Sequence, residues 1–210
     1  DYPTLYNPES SCPTYADQMI FYIINDRSNV HTLTKGSEAI GLEIQKMAYS
    51  FITNDDNNNA TFYTDKFVYR GTQLLIDAYY SIWIDPDLGC PTDDYIGLDT
   101  TRNLMYIYNS DEFDGSSGCN CGQNYTYCSN IPMVGCAILK TPFSVTIDSL
   151  LIPKDTFYTK FSSFTIYSNS SFGMGNWGFD PSSPIEFLNY MSGYNADGTK
   201  KLFFPYTGEP

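Results

Sequence analysis

The chain contains a single histidine, His31, and that scarcity closes off several chemistries at once. Zinc-peptidase motifs need at least two histidines, so the usual metalloprotease is excluded. A Ser-His-Asp relay would have to use His31, in "NDRSNVHTLT". No G-x-S-x-G elbow or other nucleophile setting accompanies it, and it reads as a polar residue near a strand start. Basic residues are few as well: 11 Lys and Arg stand against 24 Asp and Glu, for a net charge of −13. With no basic stripe to neutralise phosphates, nucleic acid is excluded as a partner. An anionic membrane surface is excluded on the same ground. No apolar run approaches the ~20 residues of a membrane span; "MIFYII", from Met19 to Ile24, is among the longest. Lys, Glu and Ala are sparse, which argues against a helical bundle.

Aromatic residues fill part of that space, at 17% with 19 tyrosines. Together with abundant Asn, Ser and Thr they favour strands joined by long loops. A chain of 210 residues reads as one domain, residues 1–210, able to bury about 70% of the surface that its unfolded form exposes. Six cysteines, Cys12, Cys90, Cys119, Cys121, Cys128 and Cys136, read as disulfides formed in an oxidising compartment. The alternative is a four-thiolate zinc site from Cys119, Cys121, Cys128 and Cys136, whose spacing lacks paired C-x-x-C knuckles. Spacing alone does not choose among the pairings. The chain opens at Asp1 without a signal peptide, so a processed or excised piece of a secreted protein is expected.

In "AIGLEIQKMAYSFI" (39–52), Ile40, Leu42 and Ile44 alternate with Gly41, Glu43 and Gln45, the period of a half-buried strand. "NDDNNNA" (54–60) is turn chemistry. "TFYTDKFVYR" (61–70) and "TQLLIDAYYSIWID" (72–85) are predicted strands, the second carrying Trp83, Asp85 and Asp87 on one side. "NLMYIYN" (103–109) is another, followed by a long cysteine-stapled loop to residue 130. Strands are predicted to resume in "VGCAILKT" (134–141), "FSVTIDSLLI" (143–152) and "FSSFTIYS" (161–168). A Gly- and Ser-rich loop leads to the one helix, "SPIEFLNYMSGY" (183–194). There Ser183 can cap, Pro184 suits the first position, Glu186 completes a capping box and Gly193 ends the turn. Many strands and one short C-terminal helix give an all-β fold, a two-sheet antiparallel β-sandwich of jelly-roll type with long loops. No internal repeat and no linker interrupt it.

The densest chemistry lies in "WIDPDLGCPTDDYIGLDTTRN" (83–103), where Asp85, Asp87, Asp93, Asp94 and Asp99 crowd together with only Arg102 beside them. Asp85-x-Asp87-x-Gly89 resembles the opening of many calcium loops: oxygens at alternate positions converge on one ion over a glycine turn. It is not an EF-hand, because Gly89 stands where a third acid would be and no Glu closes the loop. The five aspartates are the predicted ligands of a Ca²⁺ ion that turns mutual repulsion into shared attraction. With one histidine and oxidised cysteines, hard oxygen chemistry is preferred over soft metals. The competing reading is an exposed loop that uses Asp for turns. In "NSDEFDG" (109–115), Asp111 and Asp114 serve either as a further ligand or as turn residues. Trp83, and Trp177 in its Gly-rich loop, are candidates for stacking on a sugar ring, against the general tendency of aromatics to be buried.

Four segments together resemble a domain of large Bacteroidota surface proteins exported by the type IX secretion system, which end in sorting or gliding-motility-associated domains. They are "ADQMIFYIINDRSNVHT", "GLEIQKMAYSFITNDDNNNATFY", "IWIDPDLGCPTDDYIGLDTTRNLMYIYN" and "DPSSPIEFLNYMSGYNADGT". The family pattern Asp-Asp-Tyr-Val-Gly-Cys-Asp meets Asp93-Asp94-Tyr95-Ile96-Gly97-Leu98-Asp99 here. Leu98 replaces the cysteine, so any family disulfide at that point is rewired. Beyond Asn109 the extra cysteines depart from the family altogether. The resemblance implies a secreted or cell-surface location and neighbouring domains in a longer polypeptide.

The sequence thus reads as a non-catalytic, calcium-stabilised extracellular module for adhesion or for binding a surface glycan or protein. A secreted glycoside hydrolase or esterase with paired carboxylates is the alternative, and a passive spacer the third. Sequons at Asn59, Asn124 and Asn169 read as accidents of an Asn- and Ser-rich composition in a bacterial protein, and as marks of exposed loops in a eukaryotic one.

Overall fold

Strands form here wherever an alternating run finds a neighbour to complete its backbone hydrogen bonds. The structure is a computed structural model. It describes residues 16–27, 38–115, 119–121, 126–147, 153–159, 162–167 and 179–200. These residues are all-β in class, antiparallel throughout, with one short helix near the C-terminal end. Two compact units share the chain: Asp1–Tyr79, Ile166–Tyr190 and Tyr194–Pro210 make one, Tyr80–Thr165 and Met191–Gly193 the other.

In the first unit, β1 (Gln18–Asn25), β2 (Leu42–Ser50) and β3 (Phe62–Tyr69) form a sheet in that order. Its register is set by side-chain pairs. Lys46 and Asp65 lie opposite and form an ion pair, and Tyr49 faces Phe62 with ring centroids 5.5 Å apart. Such cross-strand pairs are worth about 0.2–1 kcal/mol each, and several in series make a one-residue slip unfavourable. The β2–β3 connection is a short 3₁₀ turn, Asp56–Asn59, capped by Asp55, whose carboxylate accepts the Asn57 amide at 3.0 Å. Before β2, the Asp26 carboxylate gathers the amides of Ile40, Gly41 and Leu42. Gly41 needs its left-handed φ of +85° and its bare Cα, since a Cβ there would lie 2.9 Å from the Gly71 nitrogen.

In the second unit, β4 (Asp94–Asp99), β5 (Leu104–Asn109) and β6 (Val134–Ala137) pair in order, and β7 (Phe143–Ile147) pairs with β8 (Pro153–Tyr158) as a separate ribbon. The β4–β5 register puts Ile96, Leu98, Met105 and Ile107 on one face and Tyr95, Gly97, Tyr106 and Tyr108 on the other. Ile107 is buried and anchors the apolar face. On the opposite face the Tyr106 ring lies over Gly97, where a Cβ would meet it at 2.2 Å.

Helix α1 (Pro184–Met191) begins as its sequence requires. The Ser183 hydroxyl accepts the Glu186 amide at 3.4 Å, while the Glu186 carboxylate reaches back to the amide and hydroxyl of Ser182, one residue earlier than the simple capping box. Gly193, at φ +82°, ends it. Tyr190 is buried, stacks on Tyr167 at 5.0 Å and donates its hydroxyl to the Phe179 carbonyl.

Three readings change. Among the described residues the predicted strand over 72–85 is not formed as a ladder, and Asp77 sits at φ +51°. A left-handed residue breaks the two-residue alternation midway, so the apolar positions on its two sides do not share a face. Conversely β1 was not legible, because its apolar residues run continuously rather than alternating. Residues 162–167, within the predicted strand 161–168, also lie outside any strand.

Ile107 and Tyr63 test which positions carry the sheets. Ile107, 2% exposed, is expected to cost about 2–5 kcal/mol when replaced by Ala. Tyr63, 73% exposed, should tolerate Thr within about 0.5 kcal/mol. Denaturant midpoints at unchanged slope give both values, and equal losses would contradict this assignment of the core.

Candidate functional site: a buried carboxylate cluster between two disulfides

The loop before β4 folds back on itself because its own aspartates satisfy its amides. Asp94 accepts the Leu88 amide at 2.9 Å, and Asp114 accepts the Cys90 amide at 2.7 Å. Asp114 also takes the Tyr127 amide on its other oxygen, while its own amide donates to the Cys128 carbonyl at 2.7 Å. Asp93 accepts from the Gly115 amide at 3.3 Å, and its carbonyl accepts the Ser110 amide. Asp114 is wholly buried and Asp93 is 8% exposed. Gly89 makes this possible: at φ +74°, a Cβ would fall 2.0 Å from an Asp114 oxygen. The sequence signal for Gly89 was sound, but the carboxylate that it admits comes from a different loop.

Two disulfides enclose the cluster, Cys90–Cys119 and Cys121–Cys128. They remove Cys119, Cys121 and Cys128 from any four-thiolate zinc site. Cys136 on β6 keeps a thiol, and burial pushes its pKa up. Cys12, His31, Trp177, Asn124 and Asn169 lie outside the described residues.

Of the five predicted ligands, Asp93 joins Asp114 in one group of converging donors, and Asp94 lies near enough to feel the charges of both. Asp87 is exposed but near enough for its charge to act on Asp94. Asp85 is exposed and takes no part in the hydrogen bonds of the cluster. Asp99 sits at the far end of β4, where it closes the β4–β5 turn. Its carboxylate accepts from the Thr101 amide and hydroxyl and the Arg102 amide, and it pairs with the Arg102 guanidinium. These bonds hold its pKa down at about 2, with Thr101 the larger cause and Arg102 next. Trp83 is exposed. Asp114, which the sequence left open between a further ligand and a turn residue, joins the cluster although 20 residues separate it from Asp94.

Cys90 Sγ and one oxygen each from Asp93 and Asp114 lie within 4.8 Å of one another. The sulfur is bonded to Cys119 and is no thiolate ligand, so the available donors are oxygens. Three oxygens in this neighbourhood are buried without a hydrogen-bond partner: Oδ1 of Asp93, of Asp94 and of Asn109. Asn109 stands directly opposite Asp94 in the β4–β5 ladder. A buried, unpaired carboxylate oxygen is costly, and a cluster of them needs a proton or a cation. The proton answer is visible at Asp94. Burial first, then the charges of Asp93, Asp114 and Asp87, push its pKa up to about 6 against the Leu88 hydrogen bond. The cation answer fits the same donors, since hard divalent ions take about six to eight oxygens from carboxylates, amide carbonyls and backbone.

No protein-family model, no curated protein and no solved structure matches the chain.

Asp114→Ala is expected to cost about 3–6 kcal/mol, two charge-assisted hydrogen bonds at about 1.5–3 each. Gly89→Ala should be of the same order, through strain and the clash with that carboxylate. Arg102→Ala, at a solvent-exposed pair, should stay within about 1 kcal/mol. Urea melts of the three variants rank them, and an Asp114 loss no larger than that of Arg102 would contradict the geometry. In chelator, Asp94 holds its proton more tightly folded than unfolded, since its pKa is about 6 against an ordinary 3.8. The stability that it contributes is present below the unfolded value and is lost as pH rises through about 6. The melting temperature in chelator should therefore fall between pH 4.5 and 7, and Asp94→Asn should flatten the curve; a flat wild-type profile would contradict the shift.

Proposed function

We propose that the chain is a non-catalytic extracellular module of a secreted or surface protein, its sheets arranged as a β-sandwich and its loops fixed by a bound Ca²⁺ ion. One observation carries the reading: buried aspartate oxygens without partners, inside a segment enclosed by disulfides. Disulfides persist in oxidising compartments, where calcium is abundant and weak sites of about 10⁻⁴ to 10⁻³ M suffice. Asp93 and Asp114, whose oxygens lie within 4.8 Å of each other, are the proposed ligands, with Asp94 and Asp87 near enough to add their charge. Asp85 and Asp99 leave the set. The donors are all oxygen, which favours calcium over soft metals.

Among the described residues no helix is long and apolar enough to cross a membrane. Anchorage in this reading comes through neighbouring domains of a longer polypeptide. The resemblance to type IX-exported Bacteroidota surface proteins supports the same location. The module's role is adhesion or the binding of a surface glycan or protein, with the ion a staple for the loop rather than a signal.

Thermal unfolding in millimolar Ca²⁺, in Mg²⁺ and in chelator, under non-reducing conditions, tests the reading. At 100 times its dissociation constant, calcium should add about 2.7 kcal/mol, a rise of several degrees. Asp93→Asn should abolish that rise and change the chelator curve little. Superimposed curves in all three conditions would remove the ion.

A further inference from the structure

We infer that occupancy of the carboxylate cluster by a hard divalent cation and the integrity of the Cys90–Cys119 disulfide are thermodynamically linked, each stabilising the other. The inference rests on the cation reading above and adds the regulation of that site. Residues 88–90 serve both features. The amides of Leu88 and Cys90 donate to Asp94 and Asp114, and Cys90 carries the sulfur. That sulfur lies within 4.8 Å of oxygens of Asp93 and Asp114. Asp93 is more than nine-tenths buried, one of its oxygens belongs to the converging group, and its Oδ1 has no hydrogen-bond partner among the described residues.

The two disulfides differ in access. Cys90 is 0% exposed and Cys119 8%, whereas Cys121 is exposed. A dithiol reaches Cys121 directly, but it reaches Cys90–Cys119 only after residues 88–90 swing away and take their amides off Asp94 and Asp114. A cation bound by Asp93 and Asp114 holds those residues in and disfavours the opening. An opposing effect exists, because the cation also attracts a Cys90 thiolate. In the opened, solvated state water and salt screen that attraction, so the opening equilibrium decides. Where the opened form does not bind the ion, opening is reduced by the factor 1 + [Ca²⁺]/Kd. Reciprocity then requires the ion to bind more weakly once the disulfide is gone.

The test is reduction of the folded chain by dithiothreitol in calcium, in magnesium and in chelator. One dithiol thiolate attacks a cysteine sulfur and releases the other as thiolate. The second dithiol sulfur then closes a ring disulfide, passing two electrons to the protein pair. Alkylation and peptide mass analysis follow each pair separately, with Cys121–Cys128 as the internal control. At ten times its dissociation constant, calcium should slow Cys90–Cys119 about tenfold and leave Cys121–Cys128 unchanged. Asp93→Asn should lose that protection. The double variant C90S/C119S should bind calcium more weakly, read by calorimetric titration. Equal slowing of both pairs would report global stabilisation and overturn the linkage. No slowing alongside a calcium-dependent rise in melting temperature would overturn it while leaving the cation reading intact. No slowing and no rise would remove both.

Discussion

Asp114 is a carboxylate with no solvent exposure whose charge is met by amides rather than by a basic side chain. Through it the 88–90 hook, the 113–115 segment and residues 127–128 share a single group, and both disulfides close within one residue of its partners. Buried charge of this kind is stable only when its lone pairs are filled, and removing one partner costs far more than the pair contributes on its own. That constraint explains Gly89, since no other residue allows the hook to approach the carboxylate so closely. Beside it, burial first and then the charges of Asp93, Asp114 and Asp87 raise the Asp94 pKa to about 6.

The fold class and most of the sheet elements were legible in the sequence. Alternation named β2 and β3, "NLMYIYN" named β5, and Ser183, Pro184 and Gly193 bracketed α1. The failures have local causes. β1 carries Ile20, Phe21, Tyr22, Ile23 and Ile24 in succession, and a continuous apolar run gives no phase from which to read a face. The 72–85 run did alternate, but among the described residues it joins no ladder, and Asp77 turns the backbone through the left-handed region. Period-2 patterning reports which side chains share a face only where the chain stays extended.

The candidate site was half legible. A local acidic run led to Asp93 and Asp94, because neighbours in sequence are neighbours in space within a short loop. The same logic wrongly enrolled Asp99, which β4 carries away from the cluster and which instead closes a turn with Thr101 and Arg102. It also left Asp114 undecided, since only the disulfide-enclosed return of the chain places that residue beside Cys90. Spacing rules find ligands that come from one loop; ligands contributed by two loops become visible only once the pairing of the chain is known.

The turn closed by Asp99 works at a distance from where it sits. β4 is six residues long, so at ~3.4 Å per residue its two ends lie about 17 Å apart. The hairpin register fixed at residues 99–104 determines that Asp94 falls opposite Asn109 at the other end. Inserting or deleting one residue at 100–103 would shift every pair in the ladder and turn Asp94 toward the tyrosine face. The connection between β4 and β5 therefore acts as an address for the carboxylate, and length changes are tolerated there only in steps that preserve the parity of the strand.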